Sequence, residues 1–495
     1  MRYSRNELLS VSIRTPSLLF SRLSSAVKQQ LCYAVGIIGM KLIGFMLLPW
    51  ITTVLGVTEY ARLESLMALI NGAIVITGFG LVNNLYRLTG QANDSKGEQA
   101  KAADVFGSAI FITLFTVVLL IALMPVLLPW LNQFWAISST EYSLIVVLIS
   151  AESTLAVPLA WLRIKEQAGQ FLVITLGRTL LYAMLTISFL QLDMGLTGLL
   201  LASVIAVSYQ IVHLFWLQFR DTGFNIRYPA IKQQIRYGLP FIISGLAMYA
   251  TQGLDIILLS QYIPAVELAA YALAIKFFLI AALLSQPFQL WWYSRRIPIL
   301  NSENGTQKAA DGAVAGAILA AALGLIVAVT APVLTLMLFA SEFAISLQYL
   351  PWLIIAGILK QWGALLNLGC FTTERSEIQM GIELATGTLC LIAFPLVIPE
   401  YGVQGALYCL TVSQLLRFIA YYLISQKMTA LPYRHTSLLL PSMICIMLIL
   451  LPIIFPTLYY NTYLLVLYIS ISTAIAAGII WKYILNNAQG LLQKI

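Results

Sequence analysis

Apolar runs of about 20 residues recur from one end of the chain to the other, the length at which a helix rising 1.5 Å per residue crosses the hydrocarbon of a bilayer. The first runs from Leu31 to Val54 and carries one charge, Lys41, inside the stretch GMKLIGFMLLPW. Lipid offers no partner to a free backbone N–H or C=O, so such a run is either a helix or part of a closed barrel. Barrel strands would be about 10 residues long with alternating polarity. These runs are continuous, which selects helices. Composition agrees: 60% of the residues are hydrophobic, only 10% are charged and the mean hydropathy is +0.88, too little charge to coat a soluble protein of 495 residues. The expected fold class is an all-α polytopic membrane protein with about 14 transmembrane helices.

The fourteen spans fall near 32–53, 63–84, 105–131, 142–162, 171–191, 197–218, 238–261, 270–293, 311–336, 351–371, 380–398, 404–425, 437–457 and 463–484. Their connections alternate in chemistry. One set carries Arg2, Arg5, Arg14, Arg22 and Lys28, then Arg87, Lys96 and Lys101, then Arg163 and Lys165, then Arg220, Arg227, Lys232 and Arg236, then Arg295, Arg296 and Lys308, then Arg375, Lys427 and Arg434, and last Lys482 and Lys494. The other set holds Glu59, Glu141, Asp193, Glu267, Glu342 and Glu400, with Arg62 as the nearest exception. The excess of Lys and Arg marks the cytoplasmic side, so both termini are expected there. The first 30 residues, Ser- and Arg-rich with Glu7 the one acid, read as a basic cytoplasmic tail rather than a transit peptide, and no cleavable signal is expected.

An internal repeat is visible. MGLTGLLLA (Met194–Ala202) enters span six and YGVQGALYC (Tyr401–Cys409) enters span twelve, each with Gly-x-x-Gly at a short turn. VTEYARL after span one and ELAAYALA after span seven form a weaker pair. A six-span offset gives two halves of the same orientation, a transporter layout with a site between lobes. The expected divisions are 1–219 for an N-terminal lobe, 220–430 for a C-terminal lobe and 431–495 for two extra helices.

Ionisable side chains inside spans cost about 2.5–3.5 kcal/mol each on insertion scales and are functional candidates by default. Lys41, Glu152 and Lys360 fall near mid-membrane. Asp255 and Lys276 lie in the outer third of neighbouring spans and are placed either to pair with each other or to face a cavity. Arg178, Glu383 and Arg417 lie in the inner third. Glu64 reads as interfacial. The cations Lys41, Arg178, Lys276, Lys360 and Arg417 outnumber the deep carboxylates, and one cationic central cavity would hydrate them all and attract an anion such as a phosphate. Glu152, Asp255 and Glu383 are the candidates for coupling to protons or sodium. Asn71, Asn83, Asn84, Gln210, Gln252, Gln286 and Gln289 add amides. Trp291 and Trp292 read as an interfacial belt, and Pro49, Pro240, Pro287 and Pro332 as sites where helices bend.

Other chemistries are poorly supported. Two distant histidines (His213, His435) and five cysteines without ligand spacing (Cys32, Cys370, Cys390, Cys409, Cys445) offer no metal or His-based centre. There is no Walker-type loop. No connection exceeds about 20 residues, which leaves no room for a soluble catalytic domain.

The layout of six, six and two spans resembles the multidrug/oligosaccharidyl-lipid/polysaccharide exporter superfamily, and within it the bacterial polysaccharide (O-antigen, Wzx-type) flippases. LLPWITTVLGVTEYARLESL, YGLPFIISGLAMYATQGLDIILLSQY and the two Gly-x-x-Gly entries carry the likeness, with Ala61 where many relatives have Gly. The resemblance implies a V-shaped two-lobe fold in the bacterial inner membrane and alternating access. The implied substrate is an undecaprenyl-diphosphate-linked oligosaccharide, with membrane lipids, a polysaccharide polymerase and a chain-length regulator as partners and no nucleic acid. The short outer loops point to a transporter rather than an enzyme, and the missing nucleotide-binding loop to a proton or sodium gradient as the drive, with no cofactor expected. A multidrug cation antiporter of the same superfamily and a membrane-embedded polymerase or ligase are the competing readings.

Overall fold

The computed structural model describes residues 25–78, 80–90, 95–372 and 376–485. Arg2, Arg5, Arg14, Arg22, Arg375 and Lys494 lie outside the described residues, as does most of the basic tail. Among the described residues the regular structure is entirely helical. The chain is a multi-pass membrane protein: among the described residues eleven helices are long and apolar enough to cross a bilayer, or twelve if one bent pair makes a single span.

The first helix, α1 (Ser25–Thr77), has 53 residues, more than twice what a bilayer accommodates. It breaks at Gly56 (φ 74°), where the left-handed backbone suits a residue without Cβ. Then follow α2 (Leu81–Gly90), α3 (Ser95–Ala122), α4 (Met124–Trp135), α5 (Ser139–Ile164), α6 (Ala168–Gln191) and α7 (Gly195–Asp221). The next series is α8 (Tyr228–Ala250), α9 (Leu254–Tyr262), α10 (Ala265–Leu300), α11 (Gly305–Leu338), α12 (Ser346–Leu365) and α13 (Ser376–Met428). Helices α8 and α9 form the bent pair, at 51°. Helix α13 repeats the pattern of α1, with 53 residues and a break at Gly402 (φ 52°). Counting α8–α9 as one span and splitting α1 and α13 at their glycines recovers the fourteen spans of the hydropathy reading. The last elements are α14 (His435–Ile454), the single turn α15 (Thr457–Tyr460) and α16 (Thr462–Ile480), with α14 and α16 packed on α11.

The Gly-x-x-Gly repeat is structural. Gly195 and Gly402, 207 residues apart, both have φ of 52°. A Cβ on Gly198 would lie 2.8 Å from the Cβ of Met194, and one on Gly405 3.0 Å from the Cβ of Tyr401, so each glycine packs under the residue four before it. Helix α11 uses glycine differently. Gly312 and Gly316 admit the rings of Trp292 and Phe288, which a Cβ would meet at 2.4 and 2.2 Å. Trp292 is therefore wholly buried, not part of an interfacial belt. Close approach bought by small residues is how apolar helices associate where no hydrophobic effect drives them together.

The series α1–α7 and α8–α13 meet chiefly along the second half of α1. Gly72 lies under the ring of Tyr249, whose hydroxyl donates to the Ala68 carbonyl at 2.6 Å. Gly245 faces Val75, and Gly80 faces Phe241. Toward the Lys/Arg-rich face, Asn84 donates to the Gln234 carbonyl at 3.4 Å and Arg87 lies 4.2 Å from the Tyr237 ring. At the opposite face Trp135 Nε1 donates to Ser260 Oγ at 3.1 Å. Arg62, the cation out of place among the acidic connections, donates to Glu141 at 2.6 Å and to the carbonyls of Trp135 and Ala136, stapling the Gly56 turn to the α4–α5 turn. Glu141 also closes a capping box with Ser138 at the start of α5.

Candidate functional site

The break at Gly56 lays both halves of α1 against one cavity of about 290 Å³. The first half contributes Lys41, the second Tyr60 and Glu64, α6 Tyr182 and α10 Lys276. Helix geometry explains the set: Tyr60 and Glu64 are four apart and share a face. Lys276 Nζ donates to Glu64 Oε2 at 2.8 Å. Glu64 is only 7% exposed, so it is a buried partner and not the interfacial residue the hydropathy reading makes it. Lys41 is exposed to the cavity and has no carboxylate within ion-pair distance among the described residues.

The Glu64–Lys276 pair joins the two helix series. Tyr60 and Tyr271, both wholly buried, are the matching residues of the weaker repeat; Glu64 follows the first by four and Lys276 follows the second by five. A contact between near-equivalent positions of two repeats lies close to the axis that relates them. The site lies where the two helix series meet, with one acid and two ammonium groups.

The remaining charges do not join that cavity. Arg178 on α6 grips Glu152 on α5 with both terminal nitrogens and donates to Gln210 Oε1 on α7 at 2.7 Å. Arg417 on the second half of α13 donates to Glu383 on the first half, through Nε at 3.1 Å and Nη2 at 2.5 Å, and Tyr421 adds a hydroxyl at 2.8 Å. Arg417 also reaches the Lys360 carbonyl on α12 at 3.3 Å. The two clusters are related by the repeat: Glu152, Arg178 and Gln210 correspond to Lys360, Glu383 and Arg417 at offsets of 208, 205 and 207 residues. Each arginine fork is occupied by a carboxylate on the adjoining helix, because an unpaired charge in a low-dielectric interior is the costlier state. Of the five cations, Lys41 and Lys276 line that cavity, and Arg178, Lys360 and Arg417 are not among its lining residues. Lys360 retains no carboxylate within ion-pair distance among the described residues and stands beside the Arg417–Glu383 pair.

Asp255 does not pair with Lys276. It is 2% exposed, accepts from Tyr271 Oη at 2.5 Å, and its other oxygen has no hydrogen-bond partner among the described residues. Of the three coupling candidates it alone is without a cation. Arg296, assigned from sequence to a cytoplasmic connection, is buried: it donates to Asn367 Oδ1 at 3.1 Å and its guanidinium lies 4.1 Å from the Phe371 ring. Among the amides, Gln289 donates to Gln361 at 2.9 Å, while Asn71 is exposed. Cys370, Cys390 and Cys445 are buried and all five cysteines are free thiols.

A family model described as "Polysaccharide biosynthesis protein" matches residues 26–288. No curated protein matches the chain. Among solved structures the chain is similar to "Lipid II flippase MurJ, inward closed conformation", with TM-score 0.65 and 14% identity over 91% of this chain and 98% of that one. It is also similar to a MATE protein in complex with MaD3S, with TM-score 0.52 and 16% identity over 83% and 98%. A third is an inward-facing MATE family transporter of the MOP superfamily, with TM-score 0.52 and 15% identity over 81% and 94%. At such identities the likeness is one of fold.

Proposed function

The chain belongs to the polysaccharide biosynthesis protein family, whose model matches just over half of it, and from that premise we propose that it is a flippase for a lipid-linked oligosaccharide. It acts as a transporter, carrying an undecaprenyl-diphosphate-linked glycan from the cytoplasmic to the outer leaflet of the bacterial inner membrane, with both termini cytoplasmic. The observation that carries the reading is the central cavity, whose Lys41 has no carboxylate within ion-pair distance among the described residues and whose Lys276 is held by one. An ammonium group on a flexible stem is a mobile point charge for a diphosphate. The glycan headgroup occupies the space between the two helix series while the polyprenyl tail stays in lipid, and rocking of the two series changes which face is open. Asp255, buried without a cation, is the carboxylate left to bind a coupling proton or sodium ion; Glu152 and Glu383 are already committed to arginines.

Lys41→Ala is the test, read in a deletion strain as surface glycan and as lipid-linked precursor held in the inner leaflet. The expected result is loss of export with precursor accumulation, while protein level and thermal stability are kept. Export at the wild-type level in both Lys41→Ala and the Lys41→Ala/Lys276→Met double variant would sink the cavity assignment. Glu64 in the same cavity, together with the MATE-like fold, supports a second reading, a cation antiporter. Changed drug susceptibility on deletion with unchanged surface glycan would favour it.

A further inference from the structure

The central cavity holds an acid as well as two ammonium groups, and binding an anion gives that acid no role. Among the described residues its ionisable lining is Lys41, Tyr60, Glu64, Tyr182 and Lys276. Glu64 has one cation, Lys276, whose Nζ donates to Oε2 at 2.8 Å. Its other oxygen accepts no hydrogen bond among the described residues. The Tyr60 hydroxyl, one turn earlier on the same helix face, is buried and has no hydrogen-bond partner among them either. Charges on the neighbouring helices are engaged elsewhere: Arg178 on α6 with Glu152 on α5, Arg62 with Glu141, and Asp255 on α9 with the Tyr271 hydroxyl. Lys41, Lys276 and Glu64 therefore set the charge of the empty cavity, which has one positive charge in excess. A diphosphate joined to lipid at one end and to sugar at the other carries two negative charges. It lacks the terminal phosphate group that titrates near about pH 6, so both charges persist through neutral pH. Two ammonium groups match them. Once both have turned to the ligand, Glu64 has lost its cation and the filled cavity carries one negative charge too many. A carboxylate only 7% exposed and without a cation neutralises by taking a proton.

We propose that Glu64 takes up one proton from the water of the open cavity when a lipid-linked diphosphate binds, so that the loaded site is electrically neutral. This role rests on the diphosphate reading of the cavity and is separate from the coupling ion assigned to Asp255. The one bond formed is O–H, on a Glu64 oxygen, and the neutral acid can donate to the orphaned Tyr60 hydroxyl. Neutrality matters to transport because the site must be enclosed as the two helix series rock, and an uncompensated charge held in low dielectric raises the energy of that step. On release the proton leaves and Lys276 returns to Glu64, which restores the pair seen in the empty cavity. Binding that consumes a proton weakens as the pH rises, by about tenfold per pH unit for each proton.

The test is calorimetric titration of the full-length protein in detergent with farnesyl-diphosphate-linked N-acetylglucosamine, repeated in buffers of different protonation enthalpy between about pH 6 and 8. The wild-type protein should take up about one proton per probe bound, and its Kd should rise about tenfold per pH unit. Glu64→Gln should bind the probe with no proton uptake and a Kd that does not change with pH. That variant leaves Lys276 without its carboxylate, so Glu64→Leu/Lys276→Met, which removes both members of the pair, is its companion. The double variant should bind more weakly, again with no uptake. Binding by the wild-type protein without proton uptake, uptake undiminished in either variant, or uptake lost in Asp255→Asn overturns the assignment to Glu64. Absence of any binding by the wild-type protein overturns the diphosphate reading of the cavity, and this role with it.

Discussion

Residue by residue, the intramembrane charges divide by what they touch. Glu64, Arg178 and Arg417 hold partners, so their removal strands a buried charge and costs stability. Glu64→Leu is expected to destabilise by about 2–3 kcal/mol, while Glu64→Leu/Lys276→Met recovers most of the loss, because removing both members of a buried pair is far cheaper than removing one. Thermal unfolding in detergent checks this; a double variant no more stable than the single one would mean the pair is not what Glu64 supplies. Lys41 behaves oppositely. It is exposed to the cavity and in no ion pair among the described residues, so Lys41→Ala should change stability by less than about 0.5 kcal/mol while glycan export falls. The hydropathy profile located Lys41, Lys276, Arg178 and Arg417 as intramembrane cations. It could not say which are neutralised, because a partner on another helix leaves no local trace. Glu64 is the case in point: as the second residue of its span it reads as solvated, yet Lys276 Nζ lies 2.8 Å away.

At the scale of the element, glycines set where helices turn and how closely they pack. Gly56 and Gly402 convert two 53-residue helices into four spans, and both have positive φ. Gly107 on α3 serves approach. A Cβ there would lie 1.9 Å from the carbonyl oxygen of Asn225, in the connection between the two helix series. That connection is pinned to α3 by the Asn225 amide, which donates to the Ala103 carbonyl at 3.0 Å, and by Arg227, which donates to Asp104 at 2.6 Å. Gly107→Ala must push the connection away and is expected to cost about 1–3 kcal/mol, read as a lowered melting temperature. An unchanged melting temperature would mean the connection moves freely. The turn glycines were legible because Gly-x-x-Gly recurs at a fixed offset. Gly107, Gly312 and Gly316 were not, since their partners, Asn225, Trp292 and Phe288, lie on other elements.

At the scale of the whole molecule, the two helix series touch at both faces and in the middle, and transport by rocking requires that this contact open. Val75 and Gly245 face each other across it, with Val75 Cγ1 2.7 Å from a Cβ placed on Gly245. In a background without the five native cysteines, Val75→Cys/Gly245→Cys should oxidise to a disulfide that stops glycan export, and reductant should restore it. Full export by the cross-linked protein would rule out separation of the two series at this point. Span number, the alternation of basic and acidic connections, the repeat and the identity of the deep charges follow from the sequence alone. They are one-dimensional consequences of a solvent that admits only long apolar helices and penalises every charge within them. Which charge meets which is decided only by the packing. The fold-back at Gly56 carries Lys41 to the cavity that Glu64 and Lys276 share, and the breaks and turns of α5–α7 and α13 bring each arginine to its carboxylate. A charge in low dielectric takes whatever partner the tertiary structure places within a few ångströms, and that distance is not a property of spacing along the chain.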